Sequence, residues 1–319
     1  MAALIEVEGL RKTYRRAKRP ALDGLTFQVE EGAIYAFVGP NGSGKTTTLR
    51  ILATLLAFEK GKVRVGGYDV NRRPEEVRRI LGYLPDEFGL YKEMTVREYL
   101  LFFAACYRIE PDKRRPLVDD LLDLVGLTPR ADSLVRTLSR GMRQRLSLAR
   151  ALVHDPMLLI ADEPAAGLDP RARIEQREMF KALQEMGKTV FLSSHVLREL
   201  DTIATHVALI ERGQLIVSGP LETIRRRLRP HRRLRIILLE RMDDAQAWLT
   251  RREGVLGVEV EPPENGGRPA LLVSLDGDEE TVVALLRAMV AEGFPILSFI
   301  EEQETLESLF LDLTEGGIS

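Results

Sequence analysis

Hydrophobic and polar positions change period several times along the chain, and each change marks an expected element. Near the start, "LIEVEGL" alternates, which predicts a half-buried strand. "AIYAFVG", beginning at Ala33, is a short apolar run closing on a glycine, the pattern of a buried parallel strand. A glycine-rich stretch follows, then a helix expected from about Thr46 to Leu56. "KVRVGGYDV" reads as a strand with a Gly-Gly turn. From about Thr95 to Leu138 the pattern is helical throughout, and it opens on Thr95 and Glu98 at capping-box spacing. This block, about 90–150 with its continuation, reads as a helical subdomain rather than part of a sheet. "MLLIAD" and "TVFLSSH" are two further buried-strand candidates, each preceded by a helical segment. That alternation predicts an open α/β sheet.

The pattern breaks near residue 222. "TIRRRLRPHRRLR" carries seven arginines. It reads either as a solvated helix end plus linker or as a contact for lipid headgroups or an acidic partner. Beyond it "LRIILLE", "DAQAWLTRRE", "VLGVEVEP", "PALLVSLD", "ETVVALLRAMVAEG" and "PILSFIEE" follow in the order βαββαβ, with "ENGG" as a hairpin turn. This order predicts a small α+β, ferredoxin-like domain. A short acidic helix, "LESLFLDLT", is expected to close the chain. The expected division is 1–222, a basic linker 223–233, and 234–319.

Composition narrows the function classes. The chain has 319 residues, enough for two domains. Its formal net charge of −2 gives no basic excess, so no nucleic-acid partner is expected. One cysteine, Cys106, allows no internal disulfide framework. No run approaches the ~20 apolar residues that span a bilayer, so a membrane role needs a partner chain.

"GPNGSGKTT" carries the strongest chemical signal. Gly39, Pro40, Asn41, Gly42, Ser43, Gly44, Lys45, Thr46 and Thr47 match a phosphate-binding loop between a strand and a helix. Its glycines let consecutive backbone N–H groups surround phosphate oxygens, and the helix adds its positive end. Lys45 is placed to reach the β- and γ-phosphates, and Thr46 to put a hydroxyl on Mg²⁺. "MLLIADEP" delivers two carboxylates to a strand's C-terminal end, where open α/β sheets bind ligands. Asp162 is the candidate Mg²⁺ partner and Glu163 the candidate base. His195 ends another strand and is a candidate to reach the γ-phosphate or the attacking water.

Together these motifs resemble the ATP-binding subunits of ABC transporters, over roughly residues 3–220. Tyr14 in "LRKTY" matches the aromatic that stacks on adenine. "YLPDEFGLY" occupies the Q-loop position, "LSRGMRQR" the signature position, and "AAGLD" the D-loop. "YLPD…LY", "LSRGM" and the "LESLFLDLT" ending are similar to ATPase subunits of ABC-2-type exporters, including drug-resistance systems. The resemblance implies an α/β P-loop NTPase cassette that uses ATP and Mg²⁺. It also implies head-to-tail pairing with a second copy or a similar ATPase subunit. A polytopic transmembrane permease, met near Tyr83–Thr95, would hold the chain on the cytoplasmic face of the membrane.

Two departures matter. The Q-loop glutamine is Asp86 here, shorter and charged, still able to meet Mg²⁺ or its water shell. In the signature, Ser139 and Gly141 remain as phosphate contacts, while Arg140 and Met142 replace glycine and glutamine. The competing readings are a soluble ABC ATPase uncoupled from transport, another P-loop enzyme, or a nucleotide-binding module without turnover. For the C-terminal domain, dimer stabilisation or packing on the cassette stands beside a regulatory role.

Overall fold

The computed structural model describes residues 3–86, 89–196, 200–228, 231–263 and 267–302. The expected closing helix "LESLFLDLT" lies outside these residues. So do most of the "ENGG" turn, Glu87 and Phe88 of the docking segment, and Arg229 and Pro230 of the basic run. The chain divides into a unit spanning Met1–Leu221 and a second spanning Glu222–Ser319.

The first unit contains two sheets. Six strands form one of them, in the order Gln214–Pro220, His206–Glu211, Ile34–Val38, Thr189–Ser194, Leu158–Ala161, Leu81–Leu84. All neighbours pair in parallel except the first two. Ile34–Val38, Leu158–Ala161 and Thr189–Ser194 are buried at every position. Their unbroken apolar runs therefore reflect a sheet covered on both faces. The alternating "LIEVEGL" belongs to a second, antiparallel sheet, in which Ala3–Lys12 pairs with Leu22–Glu30 and Lys60–Val65. Tyr68–Asp69 folds back on Lys60–Val65 through Gly66 and Gly67, both at positive φ, as the Gly-Gly pair requires.

One core joins the two sheets. Phe27 of the antiparallel sheet packs on Tyr35, Phe37 and Phe191 of the parallel one, with centroid separations of 5.5–6.1 Å. Offset aromatic contacts at this spacing add to the apolar burial.

Two helical expectations are corrected. The helix after the glycine-rich loop is Lys45–Leu52, not Thr46 to Leu56. Thr54 turns to φ 60, and Leu55 N–H donates back to Arg50 O, closing the helix. The 95–138 block is not helical throughout. It comprises Val96–Cys106, Pro111–Leu124 and two single 3₁₀ turns, Thr128–Arg130 and Val135–Thr137. Arg108 at φ 59 and Gly126 at φ 63 stop the two helices, and Pro111 restarts the chain at a first helical turn. Apolar periodicity does not register such left-handed breaks. The Thr95–Glu98 capping box is formed, with both reciprocal hydrogen bonds present.

In the second unit, the strands Arg232–Leu238, Val255–Glu261, Ala270–Leu275 and Ile296–Glu301 form one antiparallel sheet. The spatial order of these four strands, numbered along the chain, is 2-3-1-4. With helices Met242–Thr250 and Glu279–Ala291 as crossovers, this is the expected βαββαβ arrangement. The end of the arginine run enters the sheet. There Arg232 pairs with Glu301 at 2.6 Å and Arg235 with Glu261 at 2.8 Å.

Phe191→Ala is expected to lower the stability of the first unit by about 3–5 kcal/mol, because it deletes the ring shared by the two sheets. Thr95→Ala is expected to cost only about 1 kcal/mol, the worth of a helix cap. Urea denaturation of the full chain, followed by far-UV circular dichroism, measures both.

Candidate functional site

The site lies where three neighbouring parallel strands end. Ile34–Val38 runs into the phosphate loop, Leu158–Ala161 into Asp162 and Glu163, and Thr189–Ser194 into His195. Register aligns these ends, with Val38 opposite Ser194 and Ala161 opposite Leu192.

The loop needs its glycines for two different reasons. Gly39 passes so close to the next strand that an added Cβ would stand 2.1 Å from Ile210 O. Gly44 lies at φ 110 as the N-cap of helix Lys45–Leu52, and a Cβ there would also meet Ala21 O at 2.7 Å. Ser43 O accepts from Gly213 N–H, which ties the loop to the sheet. Pro40, Asn41 and Gly42 form the exposed tip. Among the described residues the hydroxyl of buried Ser43 has no hydrogen-bond partner, so a polar group at the loop is left unanswered.

Lys45 is only 6% exposed. Its ammonium donates to Gly39 O at 2.8 Å and Pro40 O at 3.2 Å, and lies 3.4 Å from Glu163 Oε1. The other Glu163 oxygen, Oε2, is 2.8 Å from His195 Nδ1. Because a carboxylate only accepts, this bond assigns the proton to Nδ1. Glu163 thus sits between a buried cation and an exposed imidazole. Its backbone is at φ 46, a conformation non-glycine residues rarely adopt.

Asp162 is buried, and its Oδ1 accepts from Thr46 Oγ1 at 3.1 Å and Ser193 Oγ at 2.8 Å. Burial pushes this carboxyl above the usual range. The Ser193 and Thr46 hydrogen bonds pull it down, and the charges of Glu163 and Asp86 push it up again. Asp86 follows the strand Leu81–Leu84, is exposed, and is close enough for its charge to act on Asp162. Tyr14 is 43% exposed, and its hydroxyl is 3.2 Å from Thr47 Oγ1.

Ser193 is the residue that sequence reasoning missed. Its hydroxyl donates to Asp162 and also accepts from Glu163 N–H at 3.0 Å, so one side chain aligns both acids. The signal was its position two residues before His195, on the same strand face. Ser139 and Gly141 are not brought to the phosphate loop of their own chain by any contact among the described residues. Ser139 caps the helix Arg140–Leu152, accepting from Met142 N–H, and Gly141 faces Leu168 and Ala172.

The chain is similar to known proteins over most of its length. The sequence profile of the ABC transporter family matches residues 22–166. The linearmycin resistance ATP-binding protein LnrL of Bacillus subtilis is 30% identical over 98% of this chain and 98% of its own length. The bacitracin transport ATP-binding protein BcrA of Bacillus licheniformis is 31% identical over 99% of each chain. The daunorubicin/doxorubicin resistance ATP-binding protein DrrA of Streptomyces peucetius is 34% identical over 97% of this chain and 92% of its own. Among solved structures, an ATP-binding subunit of an ABC transporter superposes with a TM-score of 0.64 at 31% identity, covering 70% of this chain and 92% of that one. A dimeric, post-hydrolysis ATP-binding cassette bound to ADP and phosphate gives 0.62 at 26% identity, covering 68% and 98%.

The raised Asp162 carboxyl has a stability consequence. A folded-state value above the unfolded one means that ionising Asp162 opposes folding, and the cost appears as pH rises through the folded value. Asp162→Asn is therefore expected to raise the Tm of the nucleotide-free protein at pH 7, with the gain shrinking as pH falls toward 4. Calorimetric scans at the two pH values check this; an equal shift at both would contradict it.

Proposed function

The chain belongs to the ABC transporter family of ATP-binding subunits, and on that premise we propose that it drives an ABC-2-type exporter as a dimeric, Mg²⁺-dependent ATPase. It binds ATP and hydrolyses it to ADP and phosphate. The observation that carries the proposed residue roles is the placement of Glu163, held at hydrogen-bonding range between Lys45 and His195.

In this reading the loop 39–47 holds the phosphates, with Ser43 and the backbone N–H groups as donors. Lys45 stabilises charge that develops on the transferred phosphoryl group. Tyr14 stacks on the base. Glu163 orients the attacking water and takes its proton, and His195 holds the carboxylate in place through Nδ1. Thr46 and Asp162 suit Mg²⁺, because this ion takes one or two protein oxygens and completes its shell with phosphate and water. The Thr46 and Asp162 oxygens already face each other at 3.1 Å, and Asp86 adds an acid at the outer shell. A Mg²⁺ ion held by Thr46 and Asp162 would supply positive charge to offset that of the phosphates.

The signature segment supports pairing. Helix Arg140–Leu152 has no acid in its first turn, so its free N–H groups and dipole favour an anion. A second copy, or a similar subunit, supplies that anion as the γ-phosphate on its own loop. Transport then needs a membrane-spanning partner, since no helix among the described residues is long and apolar enough to cross a bilayer. An open groove of about 260 Å³, lined by Leu55, Tyr83, Phe103, Tyr107 and Arg150, suits that partner, held on the cytoplasmic face. The drug and antibiotic systems named for the relatives support an export direction.

Glu163→Gln is expected to cut steady ATP turnover by roughly 10²-fold or more while leaving ATP binding intact. Near-normal turnover would show that the base is assigned wrongly. Gly141→Asp, which sets a carboxylate against the incoming phosphate, should leave ATP binding by the monomer unchanged but abolish ATP-dependent dimers in size-exclusion chromatography with light scattering. Leu55→Glu should release a co-purifying polytopic membrane protein; retention of that protein would argue against the groove.

A further inference from the structure

Arg140 stands at a helix start, where the dipole disfavours a cation, so its position calls for a compensating contact. That contact is with the segment that follows Glu163. Arg140 Nη2 donates to Ala166 O at 3.1 Å. A Cβ built on Gly167 would lie 2.9 Å from both Cζ and Nε of Arg140 and 3.2 Å from Nη2. Three nearly equal distances mean that the face of the guanidinium covers the place where a Cβ at position 167 would stand. Gly167 is at φ +68, a conformation that favours glycine.

The segment beneath is a closed turn. Ala166 N–H donates to Glu163 O at 3.0 Å, and Leu168 N–H to Ala165 O at 3.3 Å. The peptide of Ala166 is thus held by Arg140, and the residue itself holds Glu163. The neighbouring Gly141 packs beside the same segment, where a Cβ would stand 3.5 Å from Ala172 Cβ and 3.7 Å from Leu168 Cδ2. A surface arginine on a carbonyl is ordinarily worth little. Here the guanidinium also covers the space a side chain at position 167 would take, so its flat face and not its charge alone makes the contact.

We infer that Arg140 is a positioning residue, tying the start of the signature helix to the 163–168 turn and through it setting the place of Glu163. The inference rests on the proposed function in two respects, that Glu163 serves the attacking water and that the signature helix meets the partner's phosphate. It implies communication between sites. The helix start that receives the partner's γ-phosphate also grips the turn carrying this chain's own Glu163, so an anion drawing on Arg140 changes the restraint on that turn.

Hydrogen exchange of the nucleotide-free full chain tests the tether without reference to ATP. In Arg140→Gly, the amides of Ala166 and Leu168 are expected to exchange about tenfold faster, as for loss of a charge-assisted restraint. Arg140→Lys, which keeps the charge but lacks the flat face, should not restore protection. In steady-state assays Arg140→Gly should lower kcat while KM for ATP stays within roughly twofold. Unchanged exchange in Arg140→Gly, full rescue by lysine, or an unaltered kcat would each overturn the inference. Normal turnover in Glu163→Gln would instead fail the ATPase reading, with the tether still decided by the exchange data.

Discussion

The parallel pairing of Ile34–Val38, Thr189–Ser194 and Leu158–Ala161 is the constraint on which the site depends. Three strands that are far apart in sequence end side by side. Each end delivers a different chemical element: a phosphate loop, a histidine, and two acids. The strands are buried throughout, so packing on both faces locks their register, and a one-residue slip would exchange a strand's two packed faces and misalign its end with its neighbours'. The aromatic contacts of Phe27 and Phe191 then lock this sheet to its antiparallel neighbour.

On that frame the site holds several unfavourable features at once. Asp162 is a buried acid, Glu163 has a left-handed backbone, and Lys45 is a cation almost out of water. Each is offset locally. Two hydroxyls answer Asp162, backbone carbonyls and Glu163 answer Lys45, and Ser193 Oγ accepts the Glu163 N–H. Ser193 is central because it contacts both acids and sits on the strand between their strand and the phosphate loop. Concentrating strain and buried charge in this way is expected where chemistry requires preorganised groups.

The second unit solves a simpler problem. Its helices cover one face of an antiparallel sheet over a core that includes Leu234, Ile236, Leu271, Val273 and Met289. The arginines that made its leading edge conspicuous pair with Glu261 and Glu301 across the strands, which gives at least part of the basic run an internal partner. The cassette's signature arginine behaves similarly, being odd by local rules and answered by a contact distant in sequence.

The sequence by itself determined which segments would be buried strands, where the glycine-rich loop would lie between a strand and a helix, and which acids and histidine stand at neighbouring strand ends. These are local properties: apolar run length, glycine spacing, and residue type at a strand's end. The βαββαβ order was equally legible, since each of its elements carries its own period. Only the tertiary structure decided the rest. Helix ends at Thr54, Arg108 and Gly126 depend on single left-handed residues that hydrophobic periodicity does not register. Assigning "LIEVEGL" to a separate antiparallel sheet required its partners. Ser193 looked like any strand serine until its neighbours arrived on either side. Arg140 looked misplaced until Gly167 was beneath it. In each case the deciding contact joins residues distant along the chain, and local pattern holds no record of which distant group will be met.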